Sequence, residues 1–568
     1  MSGMAVAPFD FSRYIGSVCH VRPTTLEVNL PKAAATGGGH YAGYSVPAGQ
    51  VGEFVVVEGE DHAVLGRLME VRLPERDRLT VEPTSASDGE PSPIGVVQIL
   101  TAIDLTTGRA LNGVPAHPRI GQHVYSAHPL VVKQAVEAGG GAEALKIQLA
   151  VFPHAQNTSV SLSPSSVFGR HCAVLGATGG GKSWTLAKLM EEIIRLEGKA
   201  ILLDATGEFH SQTGPVKHVH LGGKATGPDD VREFISFPYY YLTETDLFVL
   251  FRPSMGAQAP KLKEALRSLK LAALAPTIAT AGAVKKAGAA RQNFEAAMRL
   301  HEAALLRFGT RYDIARLPQQ IWEECVYPTG FDARAATHWG GAHPGDQAYC
   351  TSLISRIEAE INSESMACVF QPGTLRTLPE ICDEFFLNDD SHLLRVSLEH
   401  LPFEHNTREL VSNAVGRYLL GRARLGRFKK MPLVVLLDEA HQFLDKTIGD
   451  ENNRASLDSF GLIAKEGRKY GLTCVLATQR PRDIPEDVLS QMGMFIVHRL
   501  INERDRAVVE KACGNLDASA ASFLPTLGQG EAILIGVESP MPLPVLVRRP
   551  LHEPVSRGPD YEQHWGKL

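Results

Sequence analysis

No two of the eight cysteines (Cys19, Cys172, Cys325, Cys350, Cys368, Cys382, Cys474 and Cys513) form a C-x-x-C pair. The 568-residue chain therefore carries neither a zinc-ribbon pattern nor a disulfide framework. An excess of positive charge is missing too: 57 lysines and arginines stand against 63 aspartates and glutamates, a net charge of −6. That balance excludes a uniformly polycationic nucleic-acid coat and leaves only local basic patches for such contacts. Long apolar runs are scarce. The best candidate for a membrane span, Leu271 to Val284, is 14 uncharged residues that include Pro276, short of the ~20 a spanning helix needs. The opening MSGMAVAPFDFSRY has no basic segment followed by an apolar one, so it does not read as a secretory signal. Scattered thiols and these missing segments predict a cytoplasmic protein with no membrane association. No internal repeat is present. What remains is ordinary globular composition, 44% hydrophobic and 21% charged, at a length that predicts several domains of roughly 100–200 residues.

The chain changes rhythm once. From Tyr14 to about Ser161 short β-like runs (Phe54 to Val57, Leu79 to Val81, Ile94 to Ile103, His123 to Tyr125, Ile147 to Phe152) alternate with glycine and proline punctuation such as Gly37 to Gly39 and Pro91 to Pro93. This predicts a small all-β barrel over residues 1–160. From Arg170 onward apolar runs (His171 to Leu175, Ala200 to Leu203, Leu393 to Leu398, Leu433 to Leu437, Thr473 to Ala477, Met494 to Val497) are bracketed by helix-length segments. Buried runs between helices predict an α/β domain with a mostly parallel sheet over 161–550. Alanine- and leucine-rich sequence (Leu262 to Leu274, Ala287 to Phe308) predicts a helical insertion in it at about 254–343. Residues 551–568 form a tail with no legible pattern.

The strongest chemical signal is Gly176-Ala177-Thr178-Gly179-Gly180-Gly181-Lys182-Ser183, a complete G-x-x-x-x-G-K-[ST] phosphate loop. It follows the run Cys172 to Leu175 and opens a helix with Leu186, Leu189, Met190 and Ile193 at helical spacing. The glycines let backbone N–H groups turn inward around phosphates, Lys182 neutralises the β and γ oxygens, and the Ser183 hydroxyl ligates Mg²⁺. Trp184, next in the chain, is assigned to the same nucleotide site. The run Leu433 to Leu437 ends in Asp438 and Glu439. Asp438 can hold the magnesium through water and Glu439 can polarise the attacking water; acids capping the next helix are the rival reading. The run Thr473 to Ala477 leads to Thr478-Gln479-Arg480-Pro481, which would place the Gln479 amide at the γ-phosphate as a sensor, against the alternative of a plain polar loop residue.

These segments, with Lys465-Glu466-Gly467-Arg468-Lys469-Tyr470-Gly471, Phe168-Gly169-Arg170-His171 and Asp204-Ala205-Thr206-Gly207-Glu208-Phe209, resemble the HerA-type hexameric ATPases of the HerA/FtsK superfamily. The resemblance implies an N-terminal barrel ahead of a RecA-like core with a helical insertion, ATP and Mg²⁺ as cofactors, and Asp204 near the nucleotide. Gly180 stands where the family often has serine, and Ala205-Thr206 where Pro-His is usual. The resemblance further implies a homo-hexameric ring with double-stranded DNA in its pore, working beside a NurA-like nuclease in end processing or a Sir2-like or nuclease effector in phage defence. No nuclease carboxylate cluster is evident in this chain, which leaves any cutting to the partner.

Two basic patches could meet DNA phosphates. Between Lys261 and Arg307 nine basic residues face three acidic ones, and Arg422, Arg424, Arg427, Lys429 and Lys430 form a second group. A solvated helix face explains each as well as DNA contact does, and the stretch Ala440 to Ser456, with Lys446 and Arg454, competes for the role. The expected function is ATP-driven translocation of double-stranded DNA. Two alternatives stay open: a ring scaffold in which ATP controls assembly and gates an effector, and a membrane-coupled DNA pump of the conjugation type. A neighbour's arginine often stabilises the γ-phosphate in such enzymes. Arg468 is the first candidate, projecting from the last turn of a helix expected over Ser456 to Lys469 with Gly471 as its stop; Arg170 is second and Arg480 third.

Overall fold

The computed structural model describes residues 6–31, 33, 39–41, 44–46, 49–73, 92–111, 113–137, 145–153, 155–227, 229–328, 337–402, 404–444, 446–514, 518–536, 541–555 and 565. The run Leu79 to Val81, the glycines Gly37 and Gly38, and Pro91 lie outside them. The chain divides into two compact units, Met1–Leu196 with Val475–Glu553, and Glu197–Cys474 with Pro554–Leu568.

The first unit begins with a closed six-stranded antiparallel barrel, in the order Tyr14–Val21, Thr25–Asn29, Ile94–Asp104, His62–Arg72, Phe54–Val57 and His123–Ser126. Inward residues Ile15, Val18, Leu26, Val28, Val55, Val57, Val64, Leu68, Val97 and Val124 fill it. Closure leaves no free sheet edge. Gly16 is obligatory where the first strand bulges, because a Cβ there would lie 1.9 Å from the Asn29 carbonyl oxygen.

The rest of that unit is a mixed sheet ordered Ala155–Leu162, Ile147–Phe152, Leu543–Val547, Glu531–Gly536, Met492–His498, His171–Leu175 and Leu472–Thr478. The last three run parallel and the others antiparallel. Ile147–Phe152, expected in the barrel, is thus a strand of this sheet. Its register pairs Val151 with Leu546, and its Gln148 N–H donates to the buried Glu192 carboxylate at 2.8 Å.

The second unit holds five parallel strands in the order Leu433–Leu437, Lys199–Asp204, Leu393–Ser397, Val216–Leu221 and Phe234–Ile235. The first three are buried along their whole length, which is why they read as unbroken apolar runs. Helices occupy the chain from Glu244–Phe251 to Leu378–Phe385, a longer stretch than the expected 254–343. Gln258–Leu274 is one continuous helix, whereas Ala287 to Phe308 contains two short ones, Gln292–Leu300 and Glu302–Leu305, broken at His301. No helix among the described residues is long and apolar enough to cross a membrane. All eight cysteines are free thiols, seven of them buried.

Candidate active site: a phosphate loop and a paired-carboxylate strand

The phosphate loop leaves the fully buried strand His171–Leu175 and enters the helix Lys182–Arg195. Its backbone is held by its neighbours. The Gly176 and Ala177 amides donate to the Thr478 and Arg499 carbonyls at 3.4 and 2.9 Å, and the Gly530 amide donates to the Gly180 carbonyl at 3.2 Å. Gly179 and Gly181 adopt φ of 75° and 117°, conformations that favour glycine. At Gly181 a Cβ would also meet the Gly530 Cα and the His498 ring at 3.1 Å, so the loop stays open only without a side chain. Lys182 Nζ donates across the loop to the Ala177 carbonyl at 3.1 Å. Ser183 and Trp184 are half-buried on the first helical turn, with the Arg549 guanidinium 5.7 Å from the Trp184 ring centre. Thr178 Oγ1 donates to Gln479 Oε1 at 2.5 Å, so the expected sensor amide is joined to the loop itself. Arg170 is exposed and packs over Gly493; Arg480 is 3.7 Å from Asp483.

Sequence reading missed His498, which stands behind the loop in this unit. It is buried, with Nδ1 2.8 Å from the Glu531 carbonyl and Nε2 2.8 Å from Thr185 Oγ1. A carbonyl can only accept, so Nδ1 carries the proton and Nε2 accepts from the threonine hydroxyl. Burial, helped by the Lys182 charge, pushes its pKa down to about 4. The ring is neutral and buttresses the loop rather than meeting phosphate. Its one sequence signal is its place directly after the apolar run Met494 to Val497.

In the second unit Asp438 and Glu439 follow the strand Leu433–Leu437. Asp438 is buried and accepts from Thr206 Oγ1 at 3.2 Å. Burial first, then the carboxylates of Asp204, Glu439 and Glu208, push its pKa up to about 8. Glu439 sits at φ 49°, a left-handed conformation that costs a non-glycine residue about 1–3 kcal/mol and clusters at functional positions. His441 Nδ1 is 3.2 Å from Glu439 Oε2 and orients it, a second residue that sequence reading missed. Glu439 does not cap a regular helix, since only the short 3₁₀ turn Ala440–Gln442 follows. Among the described residues no three such side chains are arranged to hold a metal by themselves.

Asp204 is held by its own neighbours. Its carboxylate is fully buried and accepts from the Gly207 and Phe209 amides at 2.8 and 3.2 Å and from Arg395 Nε at 2.7 Å. Both oxygens are engaged, so Asp204 shapes the turn after its strand. Arg468 is exposed, but in a 3₁₀ turn, Gly467–Tyr470, after a helix confined to Ser459–Glu466. Ser456, expected to begin that helix, ends the short strand Arg454–Ser456, and Gly471 closes the turn at φ 76° as expected.

Four of the nine cations in the first basic patch are answered internally, while Arg267, Lys285, Arg299 and Arg307 are exposed. Lys286 pairs with buried Glu324, Lys261 with Asp346 at 3.1 Å, Lys263 with Glu244 at 3.4 Å and Arg291 with Glu295 at 2.7 Å. In the second, Arg422 pairs with Asp383 and Arg424 with Glu466, while Arg427, Lys429 and Lys430 are exposed. Lys446 and Arg454 are exposed on the hairpin of Thr447–Gly449 and Arg454–Ser456.

Residues 149–297 match the family model described as helicase HerA, central domain, and residues 423–559 the one described as helicase HerA-like C-terminal. Among curated relatives, a DNA double-strand break repair helicase HerA of Pyrococcus furiosus is 39% identical over 117 residues, 21% of this chain and 20% of its own length. The protein of that name from Saccharolobus solfataricus is 25% identical over 435 residues, 73% of this chain and 71% of its own. Of solved structures, VirB4 of Thermoanaerobacter pseudethanolicus is matched at 12% identity and a TM-score of 0.44, over 75% of this chain and 99% of that one. With both HerA models matched in order along it, the chain belongs to the HerA-type ATPases.

Proposed function

We propose that this protein is an ATP-driven translocase of double-stranded DNA that works as a homo-hexameric ring. The observation that carries the reading is the phosphate loop: an open cradle kept free of side chains at Gly179 and Gly181, with Lys182 at its mouth and Gln479 tied to Thr178. The cradle fits a triphosphate. Backbone N–H groups of Gly179 and of Gly181 to Ser183, with the Lys182 ammonium, would hold its β and γ phosphates, while the Gly180 N–H closes the loop on the Ala177 carbonyl. Ser183 and Asp438 would hold Mg²⁺, which when bound neutralises charge building on the phosphate oxygens. Burial, and after it the neighbouring carboxylates, raise the Asp438 pKa, and a bound cation would favour its charged form. Glu439, oriented by His441, takes the role of polarising the attacking water. Arg468, or failing it Arg170, is the residue a neighbouring subunit would contribute.

DNA enters through the names of the relatives, which are DNA repair helicases. The exposed Lys446, Arg454, Arg427, Lys429 and Lys430 are the physical candidates for its phosphates. The barrel serves assembly or partner docking, and a nuclease or other effector, in end processing or phage defence, supplies any cutting. The test is ATP turnover with and without linear double-stranded DNA, alongside native mass with ATP and Mg²⁺. Stimulation of a six-subunit species supports the motor. Unstimulated turnover with nucleotide-dependent assembly identifies a scaffold instead, and a monomer under those conditions refutes the ring.

A further inference from the structure

Within the first unit a cavity of about 230 Å³ lies between the barrel and the mixed sheet. Most of its wall is carbon: Phe54, Val132, Phe152, Phe523, Leu527 and Pro544. Arg67, from the long barrel strand His62–Arg72, also lines it and is only 7% exposed. Its Nε donates to the Gly52 carbonyl at 3.2 Å and its guanidinium carbon lies 3.9 Å from the Phe523 ring centre. Nη1 is buried and has no hydrogen-bond partner, and no carboxylate among the described residues pairs with the side chain. Burial lowers the Arg67 pKa only to about 10, so the group is charged at neutral pH. Leaving a charged donor buried and unanswered is costly. The two carboxylates that share the cavity are occupied by other donors: Glu53 by Ser126 Oγ and the Gly49 and Gln50 amides, Glu531 by the Gly528 amide at 2.7 Å. A wall mostly of carbon that carries one cation, with its two acids already engaged by the Ser126 hydroxyl and backbone amides, selects one negative head on an apolar body.

We propose that this cavity is a binding site for a small organic monocarboxylate, its carboxylate on the Arg67 guanidinium and its apolar body among the Phe54, Phe152 and Phe523 rings. The ligand would lie against the segment Phe523 to Glu531, within which Gly530 donates to the phosphate loop. The site is separate from the nucleotide cradle.

Calorimetric titration of the full chain with phenylacetate, and with phenylacetamide as its uncharged counterpart, tests the assignment. Phenylacetate should saturate one site per chain below ~10 mM, and phenylacetamide should bind roughly tenfold or more weaker, because a charge-assisted bond is lost. Arg67→Met should weaken phenylacetate by a similar factor. Thr526→Trp, which blocks the exposed rim without touching the guanidinium, should do the same and carries the test if Arg67→Met fails to fold. Absence of phenylacetate binding, equal affinity for acid and amide, or undiminished binding in a folded variant would overturn the proposal.

Discussion

Replacing His498 by glutamine converts the buried buttress of the phosphate loop into a side chain that reaches the same partners and cannot titrate. The glutamine amide can donate to the Glu531 carbonyl and its oxygen can accept from Thr185, so the two hydrogen bonds of 2.8 Å that His498 makes have counterparts. What changes is the proton. The folded pKa of His498 is pushed down to about 4, below the ordinary value of 6.5, so the unfolded chain takes up a proton that the folded chain refuses. Stability from this histidine is whole above pH 6.5 and is lost as the pH falls toward 4. Within that window each pH unit removes ~1.4 kcal/mol, and by pH 5 the loss relative to pH 7 is about 2 kcal/mol. Hydrogen exchange of peptides from Lys182–Arg195 and Glu531–Gly536, corrected for the intrinsic pH dependence of exchange, reads this locally. The wild type should lose protection between pH 7 and pH 5 by roughly 30-fold more than His498→Gln. Parallel profiles for the two proteins would show that the ring is not held neutral by its surroundings and would refute the argument.

Lys182→Ala should lose nucleotide affinity, whereas Glu439→Gln should bind ATP and retain it uncleaved, with turnover down ~10²-fold or more; equal loss of binding in both would sink the division of roles. Asp204→Asn removes the charge that answers Arg395, whose side chain is 1% exposed, and should cost about 3–5 kcal/mol; an unchanged urea midpoint would contradict the buried pair. Lys182→Ala and Arg468→Ala proteins, each inactive alone, should recover part of the ATPase activity when mixed, because some interfaces then join an intact loop to an intact arginine. Near wild-type turnover of Arg468→Ala by itself, or no recovery in rings shown to be mixed, would pass the role to Arg170.

Legibility followed sequence distance and burial. The parallel strands could be read because both of their faces are covered, so Leu433–Leu437 and His171–Leu175 are unbroken apolar runs. Three barrel strands, Tyr14–Val21, Thr25–Asn29 and His62–Arg72, escaped notice. The first two have one face to the barrel interior and carry polar residues such as Ser17, His20 and Glu27 on the other, and a mixed run of that kind resembles a loop; His62–Arg72 is buried on both faces from Ala63 to Leu68, but Gly66 and Arg67 interrupt its apolar run. The phosphate loop was legible because its chemistry is local: eight consecutive residues carry the glycines, the lysine and the hydroxyl.

Its surroundings are not local, and there the reading ran out. His498 meets Thr185 across 313 residues, Arg395 meets Asp204 across 191, and Lys286 meets Glu324 across 38. Each pairing changes what one member can do. Asp204 has acid chemistry available in principle, yet Arg395 and two backbone amides consume it. Lys286 counts as a positive charge in a tally of residues, yet in the fold it neutralises a buried carboxylate and offers nothing to a phosphate. A motif therefore identifies which groups could react, and only the tertiary partners decide which remain free to do so. By that criterion Lys446, Arg454, Arg427, Lys429 and Lys430, exposed and without a carboxylate partner among the described residues, are better placed for DNA than Lys261, Lys263, Lys286 and Arg291, whose charges are already paired. Charge reversal at Lys446 and Arg454 should depress DNA stimulation more than reversal at Lys261 and Lys263.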